Sequence, residues 1–573
     1  MPRLRDAPQR HSANDRCVTE KTVNLDDSVL AETSTATDKR RVLLVFAGLL
    51  VAMLLSSLDQ TIFSTALPTI VGELDGVNHM LWVTTGYLVA ATIMMPIYGK
   101  LGDLIGRKGL FIGALSVFVL GSIVGGAAQD MTWLIIGRTV QGIGGGGLMI
   151  LSQAIIADVV PVRERSKYMG VMGAVFGISS IAGPLLGGWF TESVGWRWAF
   201  WINVPLGLIA IALAAVFLKL PRHSVRVRFD VWGTLTMAVA VTSIILVASW
   251  GGTEYDWNSP TILWLIATAV IFAALFVLAE YKAAEPIIPL SLFRSRNFVL
   301  ATSAGLFIGV AMFGTLAYLP TYLQMVTGVN ATVSGFMMLP MIAGLMASAI
   351  TTGFLASKTG RYKWMPIASM IVIAVGLWLL STLTVDTPLW VLMSYLFVIG
   401  AGIGLSMQIL ILVVQNSFPD SQVGTATASN NFFREIGASL GGAVVGAIFT
   451  SRLTELLTER MTAGTGTGDA NSFTPAAVNA LPDQVREVIV GAYNDALTPV
   501  FAMLIPMVLA GLVIVAFIKE VPLRSTLETG TQEPEGADSA LQEVPPAAAD
   551  GASGTEGLLP AASPRGSASG VPD

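Results

Sequence analysis

The sequence predicts an all-α integral membrane protein with fourteen transmembrane helices, and three observations carry that prediction. Hydrophobic residues make up 53% of the 573-residue chain and charged residues only 12%; mean hydropathy is +0.68, whereas soluble domains are about a quarter charged. The apolar residues fall into fourteen runs, each near the roughly 20 residues that a helix needs to cross a bilayer. A short glycine-rich stretch then occurs twice at corresponding places, which marks a duplication.

Residues 1–41 are polar and are expected to form a disordered cytoplasmic tail. The one cysteine, Cys17, lies there, so neither an intramolecular disulfide nor a cysteine-built metal site is expected. No apolar core of signal-peptide length precedes residue 42, so the first span is expected to serve as an uncleaved anchor. The spans run approximately 42–68, 80–100, 109–129, 132–156, 167–188, 198–218, 231–250, 260–280, 298–323, 332–356, 364–384, 388–414, 424–450 and 497–519. Lys39, Arg40 and Arg41 precede span 1. Arg107 and Lys108 follow span 2, Arg163, Arg165 and Lys167 follow span 4, and Lys219, Arg222, Arg226 and Arg228 follow span 6. Arg294 and Arg296 follow span 8, and Lys358, Arg361 and Lys363 follow span 10; the exit after span 12 lacks such a cluster. The opposite loops carry Glu73, Asp75, Asp130, Glu254, Asp256 and Asp386, with Arg197 the main exception. By the positive-inside rule both termini are cytoplasmic, in a plasma or bacterial inner membrane.

The repeated stretch is GKLGDLIGRKG, Gly99–Gly109, echoed by GFLASKTGR from Gly353. The two lie about 57 and 55 residues after the starts of spans 1 and 9. The predicted organisation is a six-helix bundle at 42–218, two inserted helices with flanking loops at 219–297, and a second six-helix bundle at 298–520. Residues 521–573 are rich in Pro, Gly, Ala, Ser and Glu and read as a disordered cytoplasmic tail. An outer loop at 451–498 interrupts the second bundle. There SRLTELLTERM and PDQVREVIVGAYNDAL predict two amphipathic helices outside the membrane, joined by AGTGTGDANS. Paired bundles of this kind are the architecture of secondary transporters, whose halves rock about a midplane site.

Charges inside such a chain mark function, because an unpaired charge within a span costs several kcal/mol. Asp59 in span 1 and Arg138 in span 4 fall at matching depths. They read either as a static ion pair or as a carboxylate whose proton affinity changes with conformation. Span 13 holds Arg434 and Glu435 side by side, about 100° apart on the helix; Glu435 is a second proton or cation site, or a partner in an interhelical salt bridge. In the first glycine-rich stretch, Gly99, Gly102 and Gly106 permit a tight turn, Asp103 can accept from helix-terminal N–H groups, and Arg107 and Lys108 are expected to face the cytosol. Gln60, Phe63, Gln141, Asn203, Tyr318, Tyr322, Gln324, Gln408, Asn430 and Phe432 are cavity candidates, as aromatic faces suit cations and amides give adaptable hydrogen bonds. The run Gly142–Gly147 sits in a hydrophobic span with no following Lys-Ser/Thr, so no nucleotide site is expected. His11, His79 and His223 lie in tails or loops, which leaves no catalytic constellation. No cofactor, metal or nucleic acid is expected.

GKLGDLIGRKG resembles the loop signature of the major facilitator superfamily. GRTVQG, Gly137–Gly142, is similar to that family's fourth-helix motif, and GISSIAGPLLGG, Gly177–Gly188, resembles its fifth-helix antiporter motif. LDQTIFSTALPTI, WRWAFWINVPLG and LPTYLQMVTGVNATVSG resemble the fourteen-helix drug:proton antiporter branch of the QacA/EmrB type, and the similarity spans about residues 42–520. The resemblance implies a major facilitator fold. It implies proton coupling through Asp59, Arg138, Arg434 and Glu435, and a cytoplasmic gate of Gly99, Asp103, Gly106, Arg107, Lys108 and Asp158. It also gives Gly177, Gly183, Pro184, Gly187 and Gly188 of span 5 an antiport role. The expected function is proton-coupled multidrug efflux, exporting amphipathic cationic or lipophilic molecules by alternating access. The alternatives are a dedicated exporter of a lipid, siderophore or self-made antibiotic, and a non-transporting membrane sensor or accessory protein.

Overall fold

The computed structural model describes residues 16–74, 79–220, 229–329, 331–460, 478 and 481–523. Among the described residues, fourteen helical segments are long and apolar enough to cross a membrane. In chain order the helices are α1 Arg16–Glu73, α2 Met80–Ile105, α3 Arg107–Gly126, α4 Met131–Val159, α5 Val162–Trp189, α6 Trp198–Trp201, α7 Asn203–Phe217, α8 Val231–Trp250 and α9 Pro260–Lys282. Then come α10 Arg296–Leu316, α11 Leu319–Val326, α12 Ala331–Met337, α13 Leu339–Thr359, α14 Trp364–Ser381, α15 Leu389–Gln415, α16 Val423–Arg460 and α17 Asp483–Ala516. Three spans are broken in two: span 6 is α6 with α7, span 9 is α10 with α11, and span 10 is α12 with α13.

Local chemistry sets the helix ends. Asp130 accepts from Trp133 N at 3.0 Å and Asp230 from Gly233 N at 2.8 Å, while Ser259 caps α9 ahead of Pro260. Gly106, at φ 93°, is the only residue between α2 and α3, a backbone shape that disfavours other residues. The run Gly142–Gly147 is a packing device. A Cβ on Gly144 would stand 2.5 Å from Ala114 O, and one on Gly142 or Gly146 would strike the backbone oxygen of Tyr87 or Ala91. Bare backbone on α4 therefore lets α2 and α3 approach it closely.

In the first half α4 packs on α2 and α3, and α1 packs on α5 and α7. In the second, α10 packs on α16, α13 and α14 on α15, and α14 on α17. The halves meet along α5–α13 and α2–α16. Every described hydrogen bond between them lies toward the end of the bundle where α2 turns into α3, here called the basic end after its Arg- and Lys-rich loops.

Two expectations are corrected. Residues 16–41, read as a disordered tail, are helical and continuous with span 1: that stretch contains neither Pro nor Gly, and extending an anchored helix costs far less than nucleating one. The two amphipathic segments of 451–498 are not separate helices but continuations of spans 13 and 14. Leu453 and Leu457 of α16 share a buried cluster with Ile489, Ala492 and Tyr493 of α17, and Arg460 Nη2 meets Asp495 Oδ2 at 2.7 Å. At ~1.5 Å per residue α16 is about 57 Å long, nearly twice the ~30 Å hydrocarbon core. All of AGTGTGDANS, the N-terminal 15 residues and the tail beyond residue 523 lie outside the described residues.

Candidate functional site

Asp59, on α1, is fully buried, and Arg138, on α4, is 2% exposed. Arg138 Nη1 is ion-paired with Asp59 Oδ2 and donates to Gln141 Oε1 at 3.0 Å. Asp59 Oδ1 accepts from Gln141 Nε2 at 2.9 Å and from Asn203 Nδ2 at 3.0 Å. Both amides also reach Ser122 Oγ, at 2.8 and 3.3 Å. The guanidinium lies between two aromatic faces, 4.2 Å from the Phe63 centroid and 4.4 Å from that of Tyr87, which favours a buried cation. Arg138 Nε has no hydrogen-bond partner among the described residues. Four helices of one half thus converge on a single carboxylate.

A cavity of about 420 Å³ adjoins this pair between the halves. Gln60, Phe63 and Leu67 of α1, Tyr87 of α2, Arg138, Phe313 of α10 and Glu435 of α16 are among its lining residues. Glu435 is the one carboxylate there. Of the ten cavity candidates only Gln60 and Phe63 line it. Gln141 and Asn203 belong instead to the Asp59 cluster. Tyr318 donates to Gly442 O, Tyr322 to Asn494 Oδ1, Gln324 to Pro320 O and Asn430 to Thr302 Oγ1. Phe432 packs against α8, and Gln408 is buried beside Gly173 of α5 with its Oε1 unpartnered. Apart from Gln324, which bonds a carbonyl of its own helix, these side chains face neighbouring helices, an orientation that residue type does not report. Arg434, adjacent to Glu435, is buried on the α10 side with Nη1 unpartnered and does not line the cavity.

About 15 Å along α16 from Glu435, by helix rise, the halves are joined. Asp103 Oδ1 accepts from Gly424 N at 3.0 Å; Oδ2 accepts from Thr425 N and Thr425 Oγ1, both at 2.7 Å. A carboxylate of the first half thereby caps the N-terminus of a second-half helix, where orphan N–H groups and the macrodipole favour an anion. Arg107 was expected to face the cytosol; it is 5% exposed. Its guanidinium bonds Asp103 Oδ1 at 2.7 Å, pairs with Asp158 and donates to Ala154 O and Asp420 O. Ion pairing removes the reason to stay in water. Lys108 donates to Ala215 O near the C-terminus of α7. Gly99 lies within α2 rather than in the turn, and a Cβ there would strike Ala428 and come within 2.8 Å of Gly424 O. Only Gly106 forms the turn.

On α5, a Cβ at Gly183 or Gly187 would strike Thr61 or Thr65 of α1, and one at Gly177 would stand 2.6 Å from Met346 of α13. Gly188 has open space around it, and Pro184 sits inside the unbroken α5. Sequence reading missed Tyr87, Ser122, Gln153, Arg163 as a contact residue, and Asp420. Gln153 Oε1 accepts from Asn431 Nδ2 at 3.0 Å, and Arg165 Nη2 meets Asp420 Oδ1 at 3.3 Å. The available signal for Asp420 was the missing basic cluster after span 12.

Two similar helical halves around a mainly apolar cavity that holds a few polar and charged groups, joined at one end by contacts between them, define a membrane solute transporter. The family model described as Major Facilitator Superfamily matches residues 49–442, and the chain belongs to that superfamily. An uncharacterized MFS-type transporter of Mycobacterium tuberculosis is 42% identical over 480 residues, 84% of this chain and 70% of that protein. Multidrug transporter protein MdtP of Bacillus subtilis is 42% identical over 398 residues, 70% of this chain and 73% of that protein. Among solved structures, the proton:xylose symporter XylE is similar with a TM-score of 0.54 at 13% identity, covering 85% of this chain and 98% of that one, a likeness of fold alone. The protein is a multi-pass membrane transporter, not an enzyme.

Proposed function

We propose that the protein is a proton-driven exporter of amphipathic, cationic or lipophilic small molecules, with the basic end and both termini in the cytoplasm. The observation that carries this reading is the buried Asp59–Arg138 pair beside a 420 Å³ cavity that contains Glu435. Protonating Asp59 removes the charge that Arg138 pairs with, while Gln141 and the Phe63 and Tyr87 rings still hold the cation. Asp59 and Arg138 belong to one half, so protonation follows what the moving halves do to the hydration of the pair. Glu435 supplies a counter-charge for a cationic substrate, and Phe63, Tyr87 and Phe313 offer faces for its apolar part. The name of MdtP, a multidrug transporter, supports the same substrate class.

In the cycle, substrate enters from the cytosol or inner leaflet while Asp59 is deprotonated; a proton from outside then displaces it and favours return. One proton crossing 100 mV gains about 2.3 kcal/mol, roughly a fifty-fold concentration ratio at full coupling. The test is flux in proteoliposomes under an imposed pH gradient, over a panel of cations, neutral drugs and lipids. Asp59→Asn is expected to remain folded and to lose uphill export. Parental uphill export by that variant would overturn the proton-site assignment, and binding without flux in the parent would favour a sensor.

A further inference from the structure

The inserted helices α8 and α9 form an antiparallel pair on the outside of the bundle. Of the 23 residues of α9 only Ile262, Ala269 and Glu280 are buried, so lipid surrounds most of it. α8 lies over the seam between the halves and packs on both α2 and α16. Just behind that seam is the cavity: Leu88 of α2 and Glu435 of α16 line it, and Thr85, three residues before Leu88 on the same side of α2, meets Ser249 of α8 at 3.5 Å.

The two contacts of α8–α9 differ in kind. Toward α2 an apolar interface with Ile97, Leu88 and Ile93 is joined by polar and directional contacts at both ends. Lys100 Nζ bonds Glu285 Oε2 at 2.7 Å at the basic end, and at the other end Thr85 reaches Ser249 while Trp82 and Trp250 stack edge to face at 5.4 Å. Toward α16 the contacts are apolar. Met237, Val241 and Ile245 share a cluster with Phe432, Phe433 and Ile436. Among the described residues, the side-chain hydrogen bonds and ion pairs that join α8–α9 and its following loop to a half go to α2, apart from the Ser295 cap where the loop runs into α10. Apolar packing inside a membrane has no directional penalty for sliding, whereas pulling apart a half-buried ion pair leaves charges uncompensated.

From this asymmetry we infer that the inserted pair is a seal carried by the first half: it moves rigidly with α2 and slides over α16, keeping the α2–α16 seam closed to lipid while the halves rock. The inference rests on the alternating-access reading above. It gives the two extra helices a mechanical task and directs lipid-side entry of substrate away from this seam.

The test is pairwise spin-label distances in nanodiscs, on a Cys17→Ser background. Labels go at Gly109→Cys on α3, where a side chain meets open space, and at Trp232→Cys on α8 and Trp364→Cys on α14, which are 74% and 45% exposed. All three positions are at the basic end. Distances are compared at alkaline and acid pH and in parent against Asp103→Asn. The expected result is that 109–364 and 232–364 shift together while 109–232 stays constant. A 109–232 distance that shifts while 232–364 stays constant would overturn the inference, since the pair would then travel with the second half. Three invariant distances would overturn alternating access itself, and the seal with it. Lys100→Gln should broaden the 109–232 distribution; an unchanged width would remove the ion pair as the anchor.

Discussion

Neutralising Asp103 should release the basic end. Asp103→Asn keeps an acceptor for Gly424 N but replaces Oδ2, which accepts from both Thr425 N and Thr425 Oγ1 at 2.7 Å, with a donor facing a donor. Hydrogen bonds to charged groups contribute about 1.5–3 kcal/mol each, and Arg107 retains Asp158 and two carbonyls. A net loss of about 3 kcal/mol follows, which is ~100-fold in the closed-to-open equilibrium. Because three of the four hydrogen bonds Asp103 accepts cross the halves, and Arg107, its partner in its own half, keeps Asp158, the protein should fold normally. Met95 packs against Ala428 across the halves, about 6 Å beyond Gly99 by helix rise. On a Cys17→Ser background, Met95→Cys should therefore react with a maleimide ten- to a hundred-fold faster in Asp103→Asn than in the parent. Unchanged labelling together with lost transport would refute the contact as a gate and assign the acid another task.

Glu435→Gln should impair export of cations more than of neutral compounds, measured as a ratio of initial rates in proteoliposomes; equal loss on every substrate with lower yield would mark a structural residue instead. Gly146→Val should overpack α4 against Ala91, lowering detergent stability by about 1–3 kcal/mol, whereas Gly188→Ala, where a Cβ meets nothing, should be neutral or slightly stabilising by thermal unfolding. Glu73, beyond span 1, is held below the usual carboxylate range by hydrogen bonds from Arg197 and the Trp196 indole. A depressed pKa adds stability above the unfolded value of about 4.3 and loses it as pH falls through the folded one; Glu73→Gln should thus lower Tm at neutral pH, with the difference vanishing in acid.

Fold and fixed charges were far more legible in the sequence than side-chain direction was. Span count follows from hydropathy and the placing of the inserted pair from the repeated glycine-rich stretch, and Asp59, Arg138 and Asp103 stand out because charge is rare and costly in lipid. Depth along a helix was readable too, since 1.5 Å per residue carries Asp59 to the level of Arg138. Which way an uncharged polar residue points was not: Tyr322 and Gln60 are both polar residues in an apolar span, yet one bonds Asn494 and the other lines the cavity. Helix continuation was misjudged wherever charge was taken to end a helix. Residues 16–41 and 451–460 are polar but free of Pro and Gly, and membrane exit does not require the helix to stop.

The two copies of the glycine-rich stretch differ because the two-fold-related contacts use opposite helix ends. Span 13 of the second half corresponds to span 5 of the first, so the counterpart of Asp103 on α16 is the end of α13 against the start of α5. There the acid is replaced by Ser357, and the first half again supplies the charge. Arg163, near the start of α5, donates to Ser357 O at 3.1 Å and Lys358 O at 3.3 Å. These are among the last carbonyls of α13, where the macrodipole favours a cation. The chemistry is inverted and the strengths are unequal. Asp103 is buried and holds two amides, a hydroxyl and a guanidinium, whereas the Arg163 contact is exposed, and exposed charge contacts contribute little. Ser357→Asp would add an acid where carbonyls already occupy the cation, so it restores no missing bond. The holding strength of the basic end resides in the first copy.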